Sequence, residues 1–494
     1  MDEFTLVVTN TQQVFMGILL LTYIILFVTS DLNTLKETLF KKDKVYFICI
    51  FSTLAFGLFY MFFSEWGFEG LFFSIEFTLL IILSIIHPKY AVGFIVYLLL
   101  SRPWETTDNQ LMESMPRDIS YLVILSLMAH KIIKKKFYFK FNLGTFLLIS
   151  FSAWVFFSAV FSAHSGLAVN KFGEIFSKAF ILFILIQNTI DKVEDTLTIK
   201  MALMLSILEK GFISFYKSYL LEVPTIGEAT ERLVSVGILG NSNDIAAIFV
   251  LVAPFVLFYC LNLKLRPFNW LIAIISFGFV SALIWQTQSR GAVLALVMSL
   301  GSWLVIKINI KNKRTLAIGL IFSLITGLGL IKLFNRSAAD VEGSTNNRII
   351  FWKAGVNMAV RNPVFGVGYW GFNRNLERYA LDGNLGSEGK KMTAHSSWVL
   401  ALSETGFLGL FFFLGLWVYA FYRSWLLRKT DPEYFMAIVG YGICITFLSH
   451  TYLLFPYILL SLVITHSHLD DVKLNDEVEF EVLDIPNKKL GTLL

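Results

Sequence analysis

Four places in this 494-residue chain combine residue types that could do chemistry. Arg290 stands in Gln288-Ser289-Arg290-Gly291, at a tight turn between two apolar runs. Arg348 opens the stretch Asn346–Val360, whose apolar residues recur at helical spacing. His395 stands in Thr393-Ala394-His395-Ser396-Ser397-Trp398, where a long polar segment meets the next apolar run. Asn241, Asn243 and Asp244 begin another run, where Asn243 and Asp244 at a helix start read first as N-caps. Guanidinium groups are permanent planar cations that bind phosphate oxygens in pairs. An imidazole, with an ordinary pKa near 6.5, is the commonest general base. Together they suit a reaction in which a hydroxyl loses a proton and a diphosphate departs. No acidic cluster accompanies them to suggest a divalent metal, so arginines take the cation's role and no cofactor is expected.

The elements that position these residues are apolar. The chain is 56% hydrophobic and only 16% charged, against roughly 25% charged in soluble domains, and its mean hydropathy is +0.67. A soluble enzyme, a disulfide scaffold and a disordered hub are all excluded. Solid apolar runs, rather than short alternating ones, also exclude an outer-membrane barrel. The three cysteines lie inside apolar runs and read as small hydrophobes. The expected fold class is an all-α polytopic helical membrane protein with about 12 to 15 spans. Its last two runs, 435–450 and 453–465, are either two helices or one broken at Pro456. The net charge of +5 fits an excess of Lys and Arg in cytoplasmic loops better than nucleic acid.

Basic clusters at Lys36–Lys44, Lys131–Lys140, Lys307–Arg314 and Arg423–Lys429 can all lie on the cytoplasmic side. That choice sends Arg290, Arg348, His395 and the start of the Asn241 run to the outer face. The chain then divides into an N-terminal transmembrane bundle (1–238), core helices (239–334), a large outer loop (335–395), C-terminal helices (396–465) and an inner tail (466–494). The outer loop is net basic, which suits an anionic ligand. It is expected to carry an amphipathic helix ended by Arg361-Asn362-Pro363, a glycine- and aromatic-rich turn over 365–372, and a second amphipathic stretch from Asn373 to Ala380. Glu174 and Lys178 are spaced as a helical ion pair, whereas Glu209 and Lys210 sit unexplained within an apolar run. The outer side holds no nucleotide sugar, so a diphosphate there must arrive on a lipid.

The motifs occur in a recognisable order: Asn241 to Asp244 opening a span, Ser289 to Gly291 at an outer turn, Asn347 to Trp352, Asn362 to Gly368, then His395 to Gly409. Over roughly residues 239 to 465 this resembles the O-antigen ligase/polymerase superfamily. Arg102-Pro103-Trp104-Glu105 also resembles the exosortase-associated O-glycosylation ligase branch. The resemblance implies a metal-independent, inverting glycosyltransferase of the bacterial inner membrane, its active site facing the periplasm. Its implied donor is an undecaprenyl-diphosphate-linked glycan. Its acceptor would be lipid A core, a glycan or a protein hydroxyl, with membrane lipids but no nucleic acid as further partners. By motif, His395 matches the base, and Arg290 and Arg348 match the arginines that contact the diphosphate. Asn243, Asp244, Trp352, Arg361 and Tyr369 are the candidate substrate contacts. A polysaccharide polymerase of the same superfamily, or a flippase for a lipid-linked oligosaccharide, are the alternatives.

Overall fold

In a computed structural model, residues 3–27, 80, 83–84, 87–102, 110–133, 139–216, 232–233, 241–263, 268–307, 325, 329, 338–380 and 392–483 are described. The apolar runs at 45–63 and most of 71–86 and 315–334 lie outside them, as do Cys49, Glu76, and the clusters Lys36–Lys44 and Lys311–Arg314. The described residues form helices and no strand. We label α1 (Glu3–Leu26), α2 (Lys89–Ser101), α3 (Gln110–Ile133), α4 (Leu143–Val160), α5 (Ser177–Thr189), α6 (Thr196–Phe215) and α7 (Ser242–Leu261). They are followed by α8 (Asn269–Gln286), α9 (Arg290–Lys307), α10 (Ala338–Arg361), α11 (Phe372–Tyr379), α12 (Ser397–Leu426), α13 (Pro432–Thr446) and α14 (Leu454–Leu483).

Among the described residues, five helical segments are long and apolar enough to cross a membrane: Leu143–Val160, Ser242–Leu261, Asn269–Gln286, Arg290–Lys307 and Ser397–Lys429. The chain is an all-α polytopic membrane protein. Helix α7 is apolar all round and accordingly central, packed by α6, α8 and α13. Helix α12 turns Phe407, Phe411, Leu414, Val418, Phe421 and Tyr422 outward. An apolar stripe of that length is tolerated where lipid, not water, is the solvent. Glu209 of α6 is buried and accepts hydrogen bonds from the Tyr97 hydroxyl and from Ser101 Oγ (2.9 Å) on α2. A carboxylate inside an apolar bundle needs such donors, so this one ties α2 to α6.

Two expectations change, and one open alternative is decided. Glu174 pairs with Lys171 at 2.5 Å, so the direct partner lies three residues back rather than at Lys178. The last two runs are separate helices, with an irregular segment at 447–453 between them and Pro456 in the first turn of α14. The cap of α7 is Asn241, whose side chain accepts from the Asn243 N–H at 2.8 Å, which releases Asn243 and Asp244 for other partners.

Two ends of the bundle can be distinguished. At one, Thr196 and Tyr434 meet His466, Lys200 pairs with Glu433, Arg423 with Asp471 and Lys140 with Asp191. At the other, Trp398 at the start of α12 donates to Thr446 at the end of α13 (3.1 Å).

Candidate active site

The segment after α13 organises this second end. Phe447 lies beneath several site residues. The Arg348 guanidinium carbon is 5.9 Å from its ring centre, Trp352 is 6.3 Å from it ring to ring, and a Cβ on Gly291 would stand 3.5 Å from its Cδ2. One aromatic ring thus brings the start of α9, which is Arg290, beside the helix carrying Arg348. Arg290 and Arg348 are both partly exposed.

His395 sits one residue before the N-cap of α12. The cap is Ser396, whose Oγ accepts from the Val399 N–H at 3.5 Å, so His395 does not cap the helix. Its backbone is left-handed, with φ 46°. A non-glycine residue pays for that conformation, and such residues cluster at functional sites. The ring stacks on Phe351 at 6.0 Å. Trp352 Nε1 donates to the Ala394 carbonyl at 3.1 Å, propping the backbone immediately before it. Burial lowers the His395 pKa, the Arg348 charge lowers it further, and Asp244 opposes both. The imidazole is therefore biased toward its neutral form, the form a base requires.

A second histidine joins the site. Ser397 Oγ donates to the Leu448 carbonyl (2.7 Å) and accepts from the His450 N–H (2.8 Å). Thr451 Oγ1 returns a bond to the Ser397 carbonyl (2.7 Å). This clamp holds the buried His450 ring with Nδ1 2.8 Å from the Tyr441 hydroxyl and Nε2 3.0 Å from Asp244 Oδ1. One neutral tautomer satisfies both contacts: Tyr441 donates to Nδ1, and Nε2–H donates to the carboxylate. Asn243 accepts from Arg232 Nη2 (3.3 Å), while Arg232 Nε donates to the Thr287 carbonyl (3.0 Å) just before Arg290. Arg232 thereby links the starts of α7 and α9.

Sequence reasoning missed His450 and Arg232. His450 sits at the end of an apolar run and Arg232 in an outer connection, and neither carries a distinctive spacing. Of the residues named from sequence, Arg290, Arg348, His395, Asp244, Asn243 and Trp352 gather here. Two do not. Arg361 ends α10, thirteen residues after Arg348 and hence about 20 Å along the helix, and lies over Tyr379. Tyr369 is fully buried against Tyr452, with its hydroxyl 3.4 Å from the Lys171 carbonyl, so it packs rather than faces a ligand.

The glycine-rich turn has a structural task. Helix α12 breaks at Gly406 (φ 70°), and the turn from Pro363 to Trp370 lies in that break. Val367 N–H donates to the Ser403 carbonyl (2.9 Å) and Phe407 N–H to the Pro363 carbonyl (3.0 Å). A Cβ on Gly366 would stand 2.3 Å from the Ser403 carbonyl oxygen, and one on Gly406 2.4 Å from that of Val364. Buried Glu404 accepts from the Phe372 N–H at 2.9 Å and pins the start of α11. As expected, α10 stops at Arg361 and α11 is amphipathic, burying Phe372, Leu376 and Tyr379. The apolar stripe Phe351, Ala354 and Met358 of α10 packs within the protein, where α10 lies on α12.

Fold and site define a polytopic membrane protein with a cationic, histidine-bearing site at one end of its bundle. Residues 275–414 match the family model described as O-antigen ligase, and that match supports a likeness to the O-antigen ligase/polymerase superfamily. No curated protein matches the chain. The match supports a glycosyltransferase of that general kind. It contains Arg290, Arg348, Trp352 and His395, whereas Asp244 and His450 lie outside it.

Proposed function

We propose that the protein transfers a glycan from an undecaprenyl-diphosphate-linked donor to an acceptor hydroxyl, on the periplasmic face of a bacterial inner membrane. The observation that carries this reading is the half-buried His395, held in a left-handed backbone beside Arg348 within the O-antigen ligase segment. His395 accepts the acceptor's hydroxyl proton as that oxygen attacks the anomeric carbon. The bond from the anomeric carbon to the diphosphate oxygen breaks, and its electron pair leaves with the lipid diphosphate. Arg290 and Arg348 receive the developing charge. Direct displacement inverts the anomeric centre, and two fixed cations make a divalent metal unnecessary. The Asp244–His450 pair is a positioning element: it holds a carboxylate near the base and moderates the arginine field around it. Trp352 and Asn243 are assigned to shaping the substrate groove.

The test is reconstitution. Purified full-length protein with a lipid-diphosphate glycan and a hydroxyl acceptor should form product without ATP or an ion gradient. Product size separates transfer of one unit from polymerisation. Movement of the lipid-linked glycan across vesicles with no product formed would overturn the assignment in favour of a flippase.

A further inference from the structure

A second constellation lies at the opposite end of the bundle from His395. His87 precedes α2, His130 is in the last turn of α3, and Asp191 follows α5. Three elements separated in sequence bring one ligand atom each to within 4.8 Å of one another. The two imidazole rings are 5.0 Å apart, centre to centre. His130 is buried, His87 half-buried and Asp191 exposed, so the group is enclosed on one side and open on the other. Two neighbouring cations are held in ion pairs, Lys89 with Asp195 (2.6 Å) and Lys140 with Asp191 Oδ1 (3.1 Å), while Lys131 Nζ lies over the Phe139 ring. Neither histidine is required for those pairs.

We infer that His87, His130 and Asp191 form a binding site for a divalent first-row transition metal, of the zinc class, at the end of the bundle away from the transfer site. Two imidazoles and a carboxylate are borderline ligands that suit such ions rather than Ca2+ or Mg2+. Ligand atoms around tetrahedral zinc lie about 3.3 Å apart at ordinary bond lengths. Side-chain rotations of roughly 1.5 Å therefore complete the set. Asp191 can keep Lys140 on Oδ1 and offer its second oxygen to the metal, since a carboxylate has about four acceptor directions. The Lys89 N–H lies 3.4 Å from His87 Nδ1, a long contact that a metal would replace at little cost. Three protein ligands leave a fourth position for water or another ligand. The consequence is a clip joining the segments before α2, at the end of α3 and after α5.

The experiment counts metal and does not read glycan transfer, so it stands apart from the proposed function. Full-length protein in detergent is stripped with chelator and equilibrated with buffered Zn2+, and bound metal is counted by elemental analysis. One Zn2+ per chain is expected, and His87→Ala/His130→Ala should weaken binding at least about tenfold. Lys140→Ala, which removes a competing cation, should bind at least as tightly as wild type. Co2+ in the same site should show tetrahedral absorption that Asp191→Asn diminishes. If the double variant does not purify as a single species, His130→Gln supplies the same comparison. Unchanged stoichiometry in the histidine variants, or no stoichiometric metal in wild type, would overturn the site.

Discussion

Asp244 Oδ1 and His450 Nε2 lie 3.0 Å apart across 206 residues of sequence, joining the first turn of α7 to the segment between α13 and α14. His450 is only 2% exposed and is held on its other faces by Tyr441 and by Ser397, two residues past His395. Loss of the Asp244 acceptor leaves the buried His450 N–H without its partner, which costs more than the bond contributes. His450→Ala and Asp244→Asn are each expected to reduce turnover by at least about tenfold, since carboxylate–histidine contacts of this kind are worth roughly 1.5–3 kcal/mol. The double variant should be little worse than either single, and a double-mutant cycle on kcat/KM with additive losses would show the pair to be uncoupled.

For His395 the expected result is loss of most transfer in both His395→Ala and His395→Gln, on the order of 10²–10⁴-fold, with donor binding retained. Glutamine keeps a polar group but cannot take the proton. Purified His395→Gln within a few-fold of wild-type turnover would leave the base unassigned.

The pH profile carries a sign. Burial and Arg348 lower the His395 pKa, so the neutral base persists below its ordinary range. The rate kcat/KM should then be flat near neutrality and fall only as the pH drops through the depressed value. Arg348→Gln removes one lowering influence and should shift the acid limb to higher pH, whereas Asp244→Asn should shift it to lower pH. Limbs that do not move in opposite directions would detach these two charges from the titrating group.

Arg290→Lys keeps the charge but loses the planar fork. It should insert normally and lose most of its activity at subsaturating donor. Arg348→Ala should also lose turnover, through weaker stabilisation of the departing diphosphate. Near-wild-type rates for both would remove the diphosphate clamp.

Chelator separates the two ends of the molecule. Turnover should be unchanged in chelator, because arginines supply the cations at the transfer site, while thermal stability should fall as the His87 clip is emptied. Lost turnover restored by a divalent ion would place a metal in the chemistry.

Gly366→Ala probes the break in α12. Its φ of +65° costs a residue with a Cβ roughly 1–2 kcal/mol, and the new atom would collide with the Ser403 carbonyl. Faster proteolysis of the 362–372 turn and a lower unfolding temperature are expected. Glu404→Gln keeps an acceptor for the Phe372 N–H and should be milder than Glu404→Ala.

Much of this was legible in one dimension. Burial in lipid requires apolar runs, so composition alone determines a polytopic helical protein, and Pro363 stops α10 because it cannot continue a helix. Arg290, Arg348 and His395 stand out because charged or titratable groups at the ends of apolar runs are costly and rarely incidental. Tertiary structure decided what these residues meet. His450 and Arg232 carry no spacing signal, since their partners Asp244 and Thr287 are set by how helices pack, not by sequence separation. Tyr369 looked like a ligand contact in an aromatic motif, yet the turn that carries it folds into the break at Gly406 and buries it. The convergence of His87, His130 and Asp191 was equally hidden, because three unremarkable positions become a site only when three helix ends meet.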